Sequence, residues 1–422
     1  MIKPYIIKNL AEKYNTPYFV YDGNKIKENY LALKNKLHSN VELFYSLKAN
    51  NNISIANLFH HLGSGIEVAS YNELTIALNA GFSSDKIIFS GPGKTKRDLE
   101  YAIEKNIYCI IAESLSEVKE INEICKKKKT ITGVGIRINP SIRTKKQSIQ
   151  MGGAPRQFGI EENSIEKVIS FIKTTDLLFF RGIHVYLGTQ ILDEMIIYDN
   201  FLYTLNLAKK ISVKYNLNLE MINLGGGLGI KYFENDRELF ISPMLKELNI
   251  KIKEFNTYFK NTKIIIESGR YLLAEFGLYV TKVLYVKESY GKTFAITDGG
   301  MHHHAASTFR GRIMKNNYPY KIINMKENTQ GDIKIDVTGC LCTPEDILLR
   351  NISVKSINPG DLVCILKSGA YGLSFSPTTF LSHSLPSEII TFNNKEYLIR
   401  KSVGDHIFAG QIKKNFKDEL NE

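Results

Sequence analysis

Eight short apolar runs, spaced at fairly even intervals along the first two thirds of the chain, most constrain its fold. They are rich in β-branched and aromatic residues, as strands are, and segments with helical periodicity lie between them. The predicted strands are VELFYSL (41–47), GSGIEVA (63–69), KIIFSG (86–91), IYCIIAE (107–113), TGVGIRIN (132–139), FRGIHVYLG (180–188), LEMINLGGG (219–227) and KIIIESG (263–269). Eight strands alternating with helices over roughly 230–250 residues predict an α/β protein with a (β/α)8 barrel.

The residue pattern of the sequence changes after about residue 278. Segments such as GLYVTKVLYVKESYGKTFAITDGG, DIKIDVTGCLC and KEYLIRKSV indicate strands separated by turns, with little helix. We therefore predict a mostly antiparallel β-domain after the barrel. An early strand-like piece, PYFVYD (17–22), precedes the barrel and suits this second domain. The predicted limits are 25–278 for the barrel, and 1–24 with 279–422 for the β-domain.

Composition narrows the class of protein. The 422 residues exceed one average domain, and 43% of them are hydrophobic, but no stretch approaches the roughly 20 apolar residues of a membrane span. The first residues lack a signal peptide, and the five cysteines lack metal-binding spacing, which predicts a cytoplasmic protein with reduced thiols. The net charge of +12 comes from scattered lysines, so we expect no nucleic-acid partner, although an acidic substrate or acidic protein partner fits.

Polar and glycine-rich positions cluster where the predicted strands end, which is where reactive groups lie in such barrels. Lys48 ends the first strand, 186–189 the sixth, 225–229 the seventh and 267–270 the eighth. Taken singly, the lysine suits a solvated charge, the glycines a tight turn, and the last segment a structural ion pair. Their coincidence at one barrel mouth favours a functional site.

These groups together describe a pyridoxal 5′-phosphate site. Glycines let backbone N–H groups converge on an anion, and Arg270 offers a fixed fork for phosphate oxygens. Glu267 can keep a ring nitrogen protonated, and a lysine such as Lys48, if burial lowers its pKa, can form a Schiff base with an aldehyde. Pyridoxal phosphate carries a phosphate, a ring nitrogen and an aldehyde, one for each of these groups, and its ring acts as an electron sink for a carbanion.

Nearly the whole chain resembles the barrel-fold pyridoxal-phosphate decarboxylases of amino acids, which include diaminopimelate, ornithine and arginine decarboxylases. YSLKAN resembles the cofactor-lysine motif, HVYLGTQ the HxHIGSQ motif, GGGLGI the phosphate loop and ESGRYL the EPGRxL motif. GCLCTPEDIL is similar to GPxCESxDxL, and GAYG to the segment whose tyrosine binds phosphate. The resemblance implies an alanine racemase-like arrangement of barrel and β-domain.

The resemblance also implies a role for each matching residue. Lys48 is implied to attach the cofactor, Glu267 to pair with the pyridine nitrogen, and Cys342 to be the catalytic cysteine, presented by the partner subunit of a homodimer with shared active sites. The matching phosphate-site and neighbouring cofactor-site residues are Thr189, Gly226, Gly227, Gly269, Arg270 and Tyr371. Asp346 and Arg310 are assigned to the substrate.

The departures from the family pattern carry information. The residue that stacks on the cofactor face is usually histidine, and Tyr186 takes that position here, with His184 two residues earlier on the same predicted strand face. Thr343 replaces the glutamate that follows the cysteine in diaminopimelate decarboxylases and helps to hold the distal amino group. ESGR loses a rigid proline turn but no chemical group.

Other segments concern metal and substrate. Three consecutive histidines, His302, His303 and His304, cannot all face one ion, so we expect no metal centre. DGGMHHH, MGGAPRQFGI and SPTTFLSH resemble a subgroup that acts on modified or carrier-linked amino acids, so the expected substrate is carrier-protein-linked glutamate or an acylated ornithine or lysine. Diaminopimelate decarboxylase is the first alternative, and an amino-acid racemase or a non-catalytic cofactor-binding protein the second.

Overall fold

The computed structural model describes residues 2–141, 152, 155–308, 316–325, 332–404 and 409–412. The chain divides into two compact units. One, the β unit, comprises Met1–Tyr21, Leu278–Leu366 and Phe375–Glu422; the other, the barrel unit, comprises Asp22–Gly277 and Lys367–Ser374. This division places residues 367–374, which we expected in the β-domain, with the barrel. The exact limits of the two domains stay predictions.

The strands and helices are numbered in chain order. The strands are β1 (Tyr18–Asp22), β2 (Val41–Ser46), β3 (Gly65–Val68), β4 (Ile87–Phe89), β5 (Cys109–Ala112), β6 (Thr132–Asn139), β7 (Ile160–Glu161), β8 (Leu178–Val185), β9 (Met221–Asn223), β10 (Lys263–Ser268), β11 (Gly277–Ser289), β12 (Lys292–Thr297), β13 (Tyr320–Ile323), β14 (Ile333–Thr338), β15 (Ile347–Val354), β16 (Leu362–Ile365), β17 (Ser387–Phe392) and β18 (Lys395–Arg400). The helices are α1 (Pro4–Tyr14), α2 (Gly23–Lys34), α3 (Ile53–His61), α4 (Tyr71–Asn79), α5 (Lys96–Glu104), α6 (Leu115–Lys128), α7 (Ile165–Ile172), α8 (Glu194–Tyr215), α9 (Ile241–Asn256), α10 (Arg270–Leu273) and α11 (Met301–His304).

The barrel predicted from the sequence is confirmed. Within the described residues, eight parallel strands pair in the order β5-β4-β3-β2-β10-β9-β8-β6, and β5 pairs with β6 to close the ring. The strands are almost entirely buried because helices cover their outer faces, as expected for parallel sheets. A core cluster inside this unit is formed by Phe44, Ile88, Cys109, Ile111, Met221 and Ile265.

Each of the eight predicted strands exists, but seven end earlier than predicted, the sixth and seventh by the largest margins. The sixth, β8, ends at Val185, before Tyr186, and the seventh, β9, is only Met221–Asn223. The glycine run leaves the sheet because Gly225 and Gly227 have φ of 69° and 98°, which a strand cannot use. The short β7, which pairs with the end of β6, was not predicted.

The β unit is mostly antiparallel, as predicted. Its main sheet runs in the order β15-β14-β12-β11-β1-β17-β18, and β16 pairs with β11 and β13. Strands β12 and β14 pair in parallel, whereas β11–β12, β14–β15 and β17–β18 pair antiparallel. Its core includes Leu10, Tyr18, Val280 and Cys364. None of the helices in the described part of the chain is long and apolar enough to cross a membrane.

Candidate active site

Lys48 lies on a tightly held turn at the carboxyl end of β2. The 3-10 turn Leu47–Ala49 follows the strand, and Leu47 and Ala49 are buried. The Asn50 carbonyl accepts a hydrogen bond from Tyr45 at 2.6 Å, and the Lys48 carbonyl accepts one from Ser374 at 3.2 Å. The backbone is therefore fixed while the Lys48 side chain stays 42% exposed.

The ammonium of Lys48 pairs with a carboxylate that the sequence analysis did not identify. Its Nζ lies 2.9 and 3.0 Å from the two oxygens of Glu67, which is 2% exposed at the end of the neighbouring strand β3. Burial by itself lowers the pKa of Lys48, but Glu67 and Glu267 raise it by more, so its pKa lies above the usual value. The lowered pKa that the sequence argument set as a condition for a Schiff-base lysine is therefore not what these contacts favour; they stabilise the ammonium form of Lys48.

Glu267 is held rigidly on β10, near the centre of the barrel mouth. It is 2% exposed, and Asn223 at the end of β9 donates a hydrogen bond to it at 2.6 Å. The other end of the Asn223 amide accepts from Gly225 N–H at 2.9 Å. One amide therefore links the carboxylate to the start of the glycine loop.

The glycine loop presents two unused backbone donors. A side chain at Gly226 would collide with the carbonyl oxygen of Glu267, and Gly227 has a positive φ, so both positions require glycine. Within the part of the chain that the structure describes, the N–H groups of Gly226 and Gly227 donate no hydrogen bond, and both residues are half-buried. Such a pair of N–H groups suits an anion.

Arg270 and Tyr371 lie together at the same barrel mouth. The Arg270 guanidinium carbon is 4.4 Å from the Tyr371 ring centroid, and its Nη1 donates to Tyr232 Oη at 3.0 Å. Tyr371 N–H donates to Ala49 carbonyl at 2.7 Å, one residue after the lysine. Gly269 precedes Arg270, and Thr189 is half-buried in the loop after β8. The barrel unit thus gathers an arginine, a tyrosine and free N–H groups.

His184 and Tyr186 occupy different environments. His184 is on β8 and buried, neither ring nitrogen has a hydrogen-bond partner among the described residues, and burial with the Arg137 cation lowers its pKa to about 3. Tyr186 follows the strand, is half-buried, and its ring centroid is 5.9 Å from Lys48 Nζ. The premise that both project from one strand is wrong because β8 ends between them; the proximity to Lys48 supports Tyr186 as the stacking residue.

Sequence reasoning also missed a buried ion pair in the barrel. Arg137 on β6 lies 3.0 Å from Glu113, which follows β5, and Glu113 also accepts the Gly159 N–H at 2.9 Å. The Arg137 guanidinium carbon is 5.8 Å from the Tyr186 ring centroid. The sequence did hold a sign of such pairs, namely a charged residue inside an apolar predicted strand: Arg137 in GIRIN and Glu67 in GIEVA. A charge buried in this way needs a buried partner.

The remaining candidate residues belong to the β unit or lie outside the described residues. Cys342 is an exposed thiol, and Thr343 is half-buried. Asp346 is buried, and its carboxylate accepts the N–H groups of Met301 at 2.7 Å and Leu341 at 2.9 Å, so its observed contacts are structural. Arg310, like residues 151, 153 and 154 of MGGAPRQFGI, lies outside the described residues.

The barrel residues fit pyridoxal phosphate part by part. Lys48 is the amine for the aldehyde, Glu267 a fixed carboxylate for the ring nitrogen, and Tyr186 a flat surface beside them. The free N–H groups of Gly226 and Gly227, with Arg270, suit the phosphate. These three groups of residues match the three chemically distinct parts of the cofactor.

Comparisons with known proteins agree with this fit. Residues 23–274 match the family described as pyridoxal-dependent decarboxylase, pyridoxal binding domain. The chain is 46% identical to the L-glutamyl-(BtrI acyl-carrier protein) decarboxylase of Niallia circulans, over 96% of each chain. It is 29% identical to the 2-((L-alanin-3-ylcarbamoyl)methyl)-2-hydroxybutanedioate decarboxylase of Staphylococcus aureus, over 94% of this chain and 99% of the relative. The crystal structure of Helicobacter pylori diaminopimelate decarboxylase complexed with L-lysine matches with a TM-score of 0.85 and 30% identity, covering 95% of this chain and 98% of that one.

Proposed function

This chain belongs to the pyridoxal-dependent decarboxylases, and on that premise we propose that its substrate is an amino acid with a masked distal end. Glutamate joined to a carrier protein is the first candidate, and an acylated ornithine or lysine the second. Free diaminopimelate ranks third. The reaction removes the α-carboxylate as CO2 in each case.

Thr343 is the observation that carries this proposal. It is a half-buried, uncharged residue directly after Cys342, where diaminopimelate decarboxylases have a glutamate for the distal amino group. A free distal ammonium next to Thr343 would lose water without gaining a carboxylate, which is costly. A distal end that is an amide or a thioester has no such charge to pair.

The two relatives with modified substrates support this ranking of the candidate substrates. The printed name of the Niallia enzyme describes a glutamyl group on an acyl-carrier protein, and that enzyme shares the higher identity. The Staphylococcus name describes an alanine unit joined through a carbamoyl group to hydroxybutanedioate. Both names describe an amino-acid unit that is covalently joined to a further group. The net charge of +12 suits an acidic carrier or a polycarboxylate.

Residues of the barrel unit would bind and orient the cofactor. When bound, pyridoxal phosphate supplies an electron sink for the electron pair left by departing CO2. Lys48 would hold it through Nζ, Glu267 would keep its ring nitrogen protonated, and Arg270 with the glycine N–H groups would bind its phosphate. The pocket must orient the bond between Cα and the carboxylate perpendicular to the cofactor ring.

We further propose that Cys342 of the partner subunit donates the proton to the α-carbon in a homodimer with two shared sites. The exposed position of the Cys342 thiol supports its contact with a second chain. All five cysteines are free thiols, which supports a cytoplasmic location.

A substrate panel tests the proposed substrate class. We expect kcat/KM for carrier-linked glutamate to exceed that for free glutamate, diaminopimelate, ornithine and lysine by about 100-fold or more, since an unpaired buried charge costs a few kcal/mol. Evolved CO2 is the measurement. The carrier substrate should lose rate steeply with added salt, whereas an acylated ornithine should need no protein partner.

Thr343→Glu is the matched variant for this panel. It restores a carboxylate at the distal position and should raise turnover of free diaminopimelate relative to the masked substrate. Efficient turnover of free diaminopimelate by the unaltered enzyme, with no gain in Thr343→Glu, would refute the masked-substrate proposal while leaving the decarboxylase assignment intact.

Glu67→Gln should accelerate attachment of the cofactor to Lys48. The Glu67 carboxylate raises the pKa of Lys48, and attachment needs the unprotonated amine, so removing the charge increases the reactive fraction by about tenfold per unit of pKa. The rate of appearance of lysine-bound cofactor absorbance, followed in cofactor-stripped enzyme from pH 7 to pH 9, measures this. For the unaltered enzyme the rate should rise with pH across that whole range.

Glu42→Gln provides the control for this measurement. Glu42, on β2, likewise pairs with lysines, Lys86 at 2.8 Å and Lys263 at 3.3 Å, but it is not among the main groups that shift the pKa of Lys48. Its attachment rate should match the unaltered enzyme. An unchanged or slower rate in folded Glu67→Gln protein would show that the carboxylate positions the lysine rather than holding its proton.

A further inference from the structure

The three consecutive histidines of the β unit differ sharply in their surroundings. Both ring nitrogens of His303 lie within hydrogen-bond distance of a partner, Nδ1 at 3.1 Å from Tyr279 Oη and Nε2 at 2.9 Å from the Ser384 carbonyl. The His304 ring packs against Phe19 at a centroid distance of 5.8 Å. His302 is 0% exposed, and among the described residues neither of its ring nitrogens has a hydrogen-bond partner. An unsatisfied, fully buried imidazole is unusual and requires an explanation.

His302 faces two further metal-binding side chains that lie far away in the sequence. One ligand atom from each of His302, Cys340 and His383 lies within 4.8 Å of the others. The His302 and His383 ring centroids are 4.7 Å apart, and Cys340 Sγ is 3.8 Å from His383 Nε2. We propose that these three residues bind a divalent transition-metal ion of the zinc class.

The ligand set and its spacing suit zinc. Imidazole nitrogens and cysteine thiolates both bind zinc, at about 2.0–2.1 Å and about 2.3 Å, so the ligand atoms of a tetrahedral site lie roughly 3.3–3.8 Å apart. The widest separation of 4.8 Å requires a contraction of about 1 Å, which rotation of the half-buried Cys340 and His383 side chains supplies. Three protein ligands leave the fourth position for water or another small ligand.

The charges around the cluster do not oppose a cation. Neither ring nitrogen of His302 has a hydrogen-bond partner among the described residues, so either is available to ligate. Burial and the nearby Asp346 carboxylate raise the pKa of the Cys340 thiol to about 11, and a bound zinc ion would displace that proton. Asp346 also places a carboxyl group near the cluster without occupying a ligand position.

Asp346 fixes the backbone on which two of the ligands are carried. Its two oxygens accept the N–H groups of Met301 and Leu341, the residues directly adjacent to His302 and Cys340. A side chain at Gly300 or Gly339 would collide with this carboxylate, so the packing on both sides is tight. Such support of the ligand backbone orients the ligands before the metal binds.

Of the histidines, the sequence argument against a metal considered only the three consecutive ones, so it could not find this cluster. Only one of the consecutive histidines, His302, is a proposed ligand. The other two ligands, Cys340 and His383, lie far away in the sequence, so no short spacing motif appears. The loop 339–342 carries both Cys340 and Cys342. A metal at Cys340 would therefore also restrain the backbone that carries Cys342.

Metal titration of the tag-free, cofactor-loaded protein tests the site. The protein is first stripped with a chelator and then titrated with Zn²⁺. We expect one equivalent of Zn²⁺ per chain to remain after dialysis, measured by elemental mass spectrometry. Co²⁺ should give a thiolate-to-cobalt charge-transfer band and intense d–d bands, read as a difference spectrum against Cys340→Ser protein with the same cofactor content. Cys340→Ser and His383→Asn should each weaken binding by at least about 100-fold.

Cys342→Ser is the matched control, since it removes a thiol only two residues away and should keep the metal and the cobalt bands. Circular dichroism spectra establish that the variants are folded, and His383→Asn alters a half-buried position, which keeps the test valid if Cys340→Ser is unstable. Less than stoichiometric Zn²⁺ in the unaltered protein, or equal affinity in folded Cys340→Ser and His383→Asn proteins, would overturn the proposal.

Discussion

Replacing Lys48 with alanine should reduce turnover by about 10⁴-fold, because the variant loses both the attachment point of the cofactor and a group able to move protons at the reacting carbon. The remaining contacts, from Glu267, Arg270 and the glycine loop, would hold cofactor only reversibly. We expect the absorbance of lysine-bound cofactor to be absent, and dialysis to remove cofactor from the variant. Evolved CO2 and the cofactor content after dialysis are the two measurements.

Two companion variants separate attachment from charge. Lys48→Arg keeps a cation opposite Glu67 but cannot attach the cofactor, so it should be as inactive as Lys48→Ala. Lys86→Ala removes a lysine that also pairs with a barrel carboxylate, Glu42, at 2.8 Å, and its turnover should stay within about twofold of the unaltered enzyme. If borohydride reduction labels any lysine other than Lys48 with pyridoxyl, the assignment is wrong.

The parts of this protein that the sequence predicted are those in which local pattern and geometry coincide. Apolar runs followed by turn residues predict buried parallel strands, and the carboxyl ends of such strands meet at one mouth. Lys48, Gly226 and Glu267 could therefore be assigned to one site before any coordinates. The matching motifs of the family added the roles of these residues.

Other features depend on pairings that no local pattern shows. Glu67 lies within the four-residue strand β3, and only the register of β3 beside β2, with Glu67 opposite Ser46, brings its side chain to Lys48. The same holds for Asn223 and Glu267, which lie on adjacent strands but 44 positions apart. The sequence argument could weigh only burial, which lowers a lysine pKa, and not the Glu67 carboxylate that raises it.

The segment from Lys367 to Ser374 also depends on long-range pairing, in this case for the compact unit to which it belongs. It follows β16 of the β unit in the chain, so its sequence position predicted a place in the β-domain. It instead forms hydrogen bonds within the barrel unit: Tyr371 N–H donates to the Ala49 carbonyl, and the Ser374 hydroxyl donates to the Lys48 carbonyl. Long-range hydrogen bonds to the lysine turn, rather than local propensity, decide where this segment folds.

A heterodimer of a Lys48→Ala chain with a Cys342→Ala chain should regain about half of the unaltered activity, although each parent homodimer is nearly inactive. If each site takes its lysine from one chain and its cysteine from the other, one of the two sites in this heterodimer keeps both residues. The Cys342→Ala parent should be reduced by about 10²-fold or more, since proton transfer by a positioned group contributes 10²–10⁴-fold. Co-expression with two different affinity tags and sequential purification isolates the heterodimer, and evolved CO2 per dimer measures its activity.

A second heterodimer, with both substitutions on one chain, makes the test decisive. Shared sites and single-chain sites predict opposite results for it. A chain carrying both Lys48→Ala and Cys342→Ala, paired with an unaltered chain, has no site with both residues if the sites are shared, and should be as inactive as the parents. If each chain instead builds its own site, this heterodimer keeps half of the activity, and the heterodimer of single variants has none. Cofactor content distinguishes either result from loss of binding, since each heterodimer retains one Lys48 and should hold one attached cofactor. Half activity in the double-variant pairing would refute the shared site, and with it the role of Cys342 of the partner subunit.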